Sequence, residues 1–269
     1  MIVPVDGIDY YYEVSGSGEP LILLHGFTGD SSTWNSIKSF LLDSFQVISI
    51  DIIGHGKTSS PTDLNKYSME QVISHICSLM NHLSLNKVHI LGYSMGGRLA
   101  LSFAIAFPER VKSLILESVS PGLKSDEERK LRVQADDQLC QMIMQQGLEA
   151  FVYYWEGIPL FKTQESLEES VKLQIRRQRL SNNPIGLVNS LQGMGTGVQP
   201  SWWDDLKNIE IPVLLLCGEK DRKFCTISKE MQLLIKNVDL IEVERVGHAI
   251  HVEDPRIFGT IVREFLSKS

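Results

Sequence analysis

An α/β fold, with a mostly parallel sheet covered by helices on both faces, is predicted from three observations. Short apolar, β-branched runs alternate with helical stretches over most of the chain. The run Val88–Leu91 leads straight into Gly92-Tyr93-Ser94-Met95-Gly96, a strand-to-helix turn pattern. Between about Pro121 and Trp203 the alternation stops, and a charged, amide-rich helical segment intervenes.

Taken in order, Asp6-Gly7 signals a hairpin before the strand Ile8–Val14, which Gly16-Ser17-Gly18 ends. Leu21–Leu24 and Phe45–Ile50 read as buried strands, and Ser68–Leu83 as a helix with apolar residues at helical spacing. The strand at Val88, a helix over Arg98–Phe107 and the strand Val111–Leu116 follow. In the insertion, Arg129–Gln146, Gly147–Trp155, Glu165–Leu180 and Pro184–Gly193 read as helices. Alternation resumes with the run from Pro212 to Cys217 and the strand Asp239–Val243. The expected division is a core of residues 1–120 and 204–269 and a helical cap of residues 121–203. A cap inserted there covers the strand ends, where it controls substrate choice and excludes water.

Bulk properties bound the function. A chain of 269 residues suits one large α/β domain, and 43% hydrophobic with 22% charged residues is ordinary globular composition. The net charge of −7 argues against a nucleic-acid partner, which needs a basic face. It leaves room for a small anion, which needs only a local basic pocket. No apolar run reaches membrane-spanning length and the first residues lack a signal-peptide pattern, so a cytoplasmic protein without membrane insertion is expected. Cys77, Cys140, Cys217 and Cys225 have no CxxC spacing and read as free packing thiols.

The chemistry centres on Ser94. A serine hydroxyl needs a base, and the base an orienting acid. Downstream, Asp221 and His248 each follow the end of a strand, in the order Ser, Asp, His that the strand–Ser–helix turn implies. Glu219 and Glu117 compete with Asp221 for the acid, while His251 reads as a loop histidine. The loop His25-Gly26-Phe27 is placed to offer the Phe27 amide to an oxyanion, with the Met95 amide as second donor, and His25 is expected to be structural. Asp51 and His55 are expected to brace a turn.

The serine turn Gly92-Tyr93-Ser94-Met95-Gly96, the His-Gly loop and the order of the three residues resemble the α/β-hydrolase superfamily over nearly the whole chain. A narrower resemblance lies in the arginine of Gly92-Tyr93-Ser94-Met95-Gly96-Gly97-Arg98 and in three stretches of the insertion. These are Trp155-Glu156-Gly157-Ile158-Pro159-Leu160-Phe161, Gln178-Arg179-Leu180-Ser181-Asn182-Asn183-Pro184, and Ser190–Gly197 followed by Gln199-Pro200-Ser201-Trp202. Together they look like the 2-succinyl-6-hydroxy-2,4-cyclohexadiene-1-carboxylate synthases of menaquinone biosynthesis.

That resemblance implies a carbon–oxygen lyase rather than a hydrolase. It would remove a ring proton from 2-succinyl-5-enolpyruvyl-6-hydroxy-3-cyclohexene-1-carboxylate and expel pyruvate, with no metal or organic cofactor. It also implies that the serine, activated by histidine, is a base and not an acyl-forming nucleophile. Arg98, Arg132 and Arg179 become anion-binding candidates, and Tyr93 and Trp155 pocket-lining ones. A polyanionic substrate with three carboxylates suits planar, permanently charged guanidinium groups. Arg98, four residues after Ser94, would face the same side of a regular helix. Arg129, Arg176 and Arg177 stand in similar helical settings and would exchange places with Arg132 and Arg179 on a small register shift. A monomer or weak homo-oligomer is expected. An ester, thioester or C–C bond hydrolase is the alternative, and a non-catalytic ligand-binding protein a distant one.

Overall fold

A computed structural model describes all 269 residues. Eight strands form one sheet: β1 Ile2–Val5, β2 Ile8–Ser15, β3 Glu19–Leu24, β4 Phe45–Ile50, β5 Val88–Tyr93, β6 Val111–Glu117, β7 Val213–Gly218 and β8 Val238–Val243. Their order is β1-β2-β4-β3-β5-β6-β7-β8, parallel from β4 to β8 with β1 and β2 antiparallel at one edge. Nine helices accompany it: α1 Asn35–Lys38, α2 Met69–His82, α3 Met95–Ala106, α4 Asp126–Glu156, α5 Glu169–Leu180, α6 Pro184–Met194, α7 Arg222–Gln232, α8 Ile250–Glu253 and α9 Pro255–Leu266.

Side-chain alternation along the central strands builds two cores. Ile22 and Leu24, Ile48 and Ile50, Ile90, Leu114 and Leu116 and Leu215 enter the cluster on one face. Their neighbours Leu21 and Leu23, Val47, Leu91, Ile115, and Leu214 and Leu216 enter the cluster on the other. A strand buried on both faces therefore reads as one continuous apolar run, as β5 and β7 do. The hairpin at Asp6-Gly7 pairs Val5 with Ile8, and both turn residues take positive φ (51° and 77°), as a two-residue primed turn demands.

The strand order reverses between β3 and β5, because β4 lies to one side of β3 and β5 to the other. A crevice opens at the carboxyl ends of strands at such a switch point. Phe27 follows β3 and Ser94 follows β5, so the order of pairing alone puts them side by side.

All the chain between β6 and β7 is helical or irregular, with a small apolar cluster of its own around Cys140, Phe151, Leu187 and Leu191. The Trp202 amide donates to the Pro121 carbonyl (2.8 Å), so this insertion leaves and rejoins the core at one place. The break expected before Gly147 is a kink inside α4, where Gly147 takes φ 85° and ψ 167°. Three boundaries differ from expectation by three residues or more. The helix expected over Arg98–Phe107 starts at Met95, straight after the serine turn. A capping box between Ser125 and Glu128 starts α4 at Asp126, three residues before the first apolar-periodic turn. The helix expected from Glu165 starts at Glu169, because Pro159–Ser166 winds as a 3₁₀-helix. No helix is long and apolar enough to cross a membrane, and all four cysteines are free thiols.

Helix α3 approaches β3 and β5 so closely that a Cβ on Gly96 would lie 2.2 Å from the Leu24 carbonyl oxygen and 2.4 Å from that of His25. Glycine to alanine in a helix interior ordinarily stabilises by about 0.5–1 kcal/mol. Here the sign reverses: Gly96→Ala is expected to cost about 2–4 kcal/mol. A urea or thermal midpoint equal to that of the unsubstituted protein would show that helix and strand end separate freely.

Candidate active site

The turn after β5 holds Ser94 at φ 50° and ψ −107°, a strained conformation for a residue with a Cβ. Its amide is fixed by the Glu117 carbonyl on β6 (2.9 Å), and its own carbonyl accepts from the Arg98 amide one turn along α3 (3.0 Å). The hydroxyl, half-buried, faces His248 Nε2 at 3.1 Å. His248 Nδ1 lies 2.6 Å from Asp221 Oδ2, with both side chains buried. An ionised carboxylate only accepts, so Nδ1 carries the proton and the bare Nε2 is left to receive the serine proton. Asp221 also caps α7 through Oδ1 and the Phe224 amide (3.4 Å), which fixes the carboxylate. Rings of Phe224, Tyr93 and Phe161 surround His248, at 4.7, 5.4 and 6.1 Å between centroids.

The structure thus brings Ser94, His248 and Asp221 together and takes Glu117 elsewhere, onto His251 (2.7 Å). Across the switch point, the Phe27 amide has no partner inside the protein. The Met95 amide opens α3, where helical geometry supplies no acceptor. His25 holds this loop: Nδ1 donates to the Gly26 carbonyl (2.8 Å), and Nε2 accepts from the Ile52 amide (3.0 Å). Burial lowers the His25 pKa and pushes that of His55 down to about 3. Asp51 accepts from the Ser31 and Lys57 amides (2.6 and 2.7 Å), so it and His55 brace turns as expected.

The insertion closes the other side of a cavity of about 830 Å³ above Ser94. Gln178 and Asn182 dock it on the core. Gln178 Nε2 donates to Asp30 Oδ1 (2.7 Å), and Asn182 Nδ2 to the Thr28 carbonyl (2.9 Å). Arg98, Arg132, Tyr93 and Trp155 all line this cavity. Trp155 packs on Phe151 and Phe27 (5.6 Å each), while its buried Nε1 has no partner.

Arg98 donates through Nη1 to the Met194 carbonyl (2.7 Å) and to the Gln199 side-chain oxygen, and no carboxylate lies within ion-pair distance of it. Burial first, and then the neighbouring Arg132, lowers its pKa to about 9. Arg132 donates through Nε to Asp136 (2.9 Å), a buried carboxylate whose pKa burial raises.

Arg179 is placed differently. It is only 6% exposed, lies 3.6 Å from Glu156, stacks over Phe161 (4.9 Å), and lines a separate cavity of about 190 Å³ behind Phe27, Tyr93 and Phe161. Of the competing arginines, Arg129 turns to the Val198 carbonyl, and Arg176 and Arg177 are exposed. Sequence reasoning missed Asp136 and Glu156. The i,i+4 spacing of Arg132 and Asp136 was the signal for the first; nothing local marked the second.

Comparison with known proteins gives the family. The alpha/beta hydrolase fold family model matches residues 19–255, and the chain belongs to that family. A Bacillus subtilis protein with the provisional name 2-succinyl-6-hydroxy-2,4-cyclohexadiene-1-carboxylate synthase is 48% identical over 264 residues, 97% of this chain and 96% of that protein. An Escherichia coli protein named as the same synthase is 28% identical and covers 87% of this chain, with 88% of its own length. MenH from S. aureus superimposes with a TM-score of 0.92 at 36% identity, over 96% of this chain and 98% of that one. Within the hydrolase-fold family, the chain belongs with these synthases. A thermophilic esterase from Thermogutta terrifontis also superimposes well, with a TM-score of 0.88 at 27% identity, over 100% of this chain and 98% of that one.

The Arg98 pKa of about 9 lies below its unfolded value, so the charged form opposes folding at every pH below about 9 and the opposition fades above it. Arg98→Met is therefore expected to raise the melting temperature at pH 7. A lower melting temperature would mean that the bonds to Met194 and Gln199 outweigh the burial of charge.

Proposed function

We propose that the protein is the pyruvate-eliminating lyase that makes 2-succinyl-6-hydroxy-2,4-cyclohexadiene-1-carboxylate from its 5-enolpyruvyl-6-hydroxy-3-cyclohexene precursor. The observation that carries this reading is the joint presence, in one cavity, of the Ser94–His248–Asp221 relay and an Arg98 guanidinium with no carboxylate partner. A hydrolase of neutral esters has no use for a cation without a carboxylate partner beside its serine. A substrate with three carboxylates supplies the missing counter-charge.

In this reading His248 draws the proton from Ser94 Oγ, and the alkoxide takes the ring proton. The electron pair of the broken carbon–hydrogen bond forms a ring double bond, the existing ring double bond shifts by one position, and the carbon–oxygen bond to the enolpyruvyl group breaks; the departing enolate takes up the proton held on His248 and leaves as pyruvate. Asp221 stabilises the imidazolium that forms. The Phe27 and Met95 amides receive charge as it develops on the oxygen of the substrate's succinyl ketone, which takes on enolate character when the neighbouring ring proton leaves; such preorganised donors are worth about 3–4 kcal/mol each. Arg98 and Arg132 bind substrate carboxylates, with Asp136 holding Arg132 in register. Arg179, paired with Glu156, meets the substrate only if Tyr93 and Phe161 move aside. The helical insertion of residues 121–203 is the lid.

The esterase likeness and the unpartnered Phe27 amide also favour a second reading, ester hydrolysis with Ser94 as nucleophile. Pyruvate release from freshly made enolpyruvyl substrate decides between them. Rapid release over the spontaneous rate, falling by about 10⁴-fold or more in Ser94→Ala, is expected. A rate equal to the spontaneous one, with turnover of simple esters, would overturn the lyase.

The anion pocket has its own check. A small tricarboxylate such as citrate is expected to raise the melting temperature, by about 2.7 kcal/mol of stabilisation at a hundred times its Kd. Arg98→Gln should abolish most of that rise. Equal rises in both proteins would remove Arg98 from the pocket's role.

A further inference from the structure

The carboxyl end of β6 carries a second carboxylate–histidine pair that the proposed chemistry does not use. Glu117 is fully buried. Its Oε1 accepts from the His251 backbone amide (3.1 Å) and lies 3.0 Å from His251 Nδ1, and its Oε2 lies 2.7 Å from the same nitrogen. The Glu117 backbone carbonyl meanwhile accepts from the Ser94 amide (2.9 Å). The next residue, Ser118, donates from its hydroxyl to the His248 carbonyl (2.8 Å) while holding a φ of 52°. Positive φ on a serine costs free energy, and such strain persists where the surroundings over-determine it. Two consecutive residues therefore grip the serine turn with one group and the histidine loop, His248 to His251, with three.

A third strut runs between the two. The ring of Tyr93, the residue before Ser94, packs against both His248 (5.4 Å) and His251 (4.6 Å). His251 is backed by Trp34 (4.9 Å). A buried carboxylate is costly to leave unmatched, and Glu117 is matched only by groups of the histidine loop.

We propose that Glu117, acting through His251 and with Ser118 beside it, is a positioning residue that sets the distance between Ser94 and His248. The inference rests on the reading of His248 as the base, but not on which bond the enzyme breaks. Glu117 touches no substrate, so its loss is felt in kcat and not in KM.

The test compares Glu117→Ala with Glu117→Gln, whose amide oxygen still accepts where Oε1 does. Glu117→Ala is expected to lower kcat on the order of 10–100-fold at unchanged KM, as a misplacement of about 1 Å does. The low-field proton resonance of His248 Nδ1–H, assigned by its loss in His248→Ala, should shift or broaden in the same variant. Glu117→Gln should restore both. The resonance is read on the resting enzyme, so it reports on the bracket even where pyruvate release fails and the lyase reading falls. Should Glu117→Ala not fold, Ser118→Ala, which removes one hydroxyl, is expected to change both readouts in the same direction and less. A folded Glu117→Ala or Ser118→Ala protein with wild-type kcat and an unmoved His248 resonance would overturn the proposal. So would a Glu117→Gln variant as impaired as Glu117→Ala, since charge and not the hydrogen-bond bracket would then be at work.

Discussion

The site depends first on a steric constraint: the closeness of helix α3 to the ends of β3 and β5. Only a backbone without Cβ at positions 92 and 96 lets that helix start where it does, with Gly92 facing Gly96 and Gly97 across about 2.5 Å from where its Cβ would stand. The tight start forces Ser94 to φ 50°, and the strain is held by bonds from the neighbouring strand and from the next helical turn. The same geometry leaves the Met95 amide pointing out of the helix start and sets the Arg98 side chain one turn further along. One packing requirement thus places the serine, a charge-stabilising donor and a cation together.

Electrostatics then divides the site in two. Around His248 the surroundings are aromatic and its hydrogen bond to Asp221 is enclosed, which keeps the imidazole oriented. Toward the insertion, Arg98 carries a charge that burial disfavours, and Arg132 shares its charge with Asp136. A protein of net charge −7 holds a local surplus of positive charge there, the arrangement a small polyanion requires. Arg179 is the exception, because it stacks over Phe161 in a separate chamber and lies 3.6 Å from Glu156, a carboxylate it shares with Arg176 at 2.7 Å.

Much of this was legible in the residues. The strands β4 to β7, the serine turn, the Asp221 and His248 loops, the structural His25 and the break at Gly147 all follow from local patterns, apolar runs, glycines and strand-end loops, whose physics acts within a few residues. The preference for Asp221 over Glu219 and Glu117 rests on chain order alone. Asp221 and Glu117 both follow strands and differ only in which histidine each meets, a matter of how the loop from His248 to His251 folds back across β6 and β7. Within the insertion, the choice of Arg132 and Arg179 over their neighbours comes from the resemblance and not from helical register, and nothing local assigns Arg179 to a different cavity. Three aromatic rings from separate parts of the chain build that partition.

The sequence by itself therefore determined the α/β class, the position of the serine turn and the family, because these rest on short-range sterics and on the period of apolar residues. The tertiary structure alone decided that Glu117 meets His251, that Arg98 stands without a carboxylate partner, and how the end of β6 grips both the serine turn and the histidine loop. Those outcomes depend on the switch in strand order between β3 and β5 and on the return of a chain segment more than a hundred residues away. Desolvation and pairing of charge are properties of what surrounds a group in space, and no local pattern encodes them.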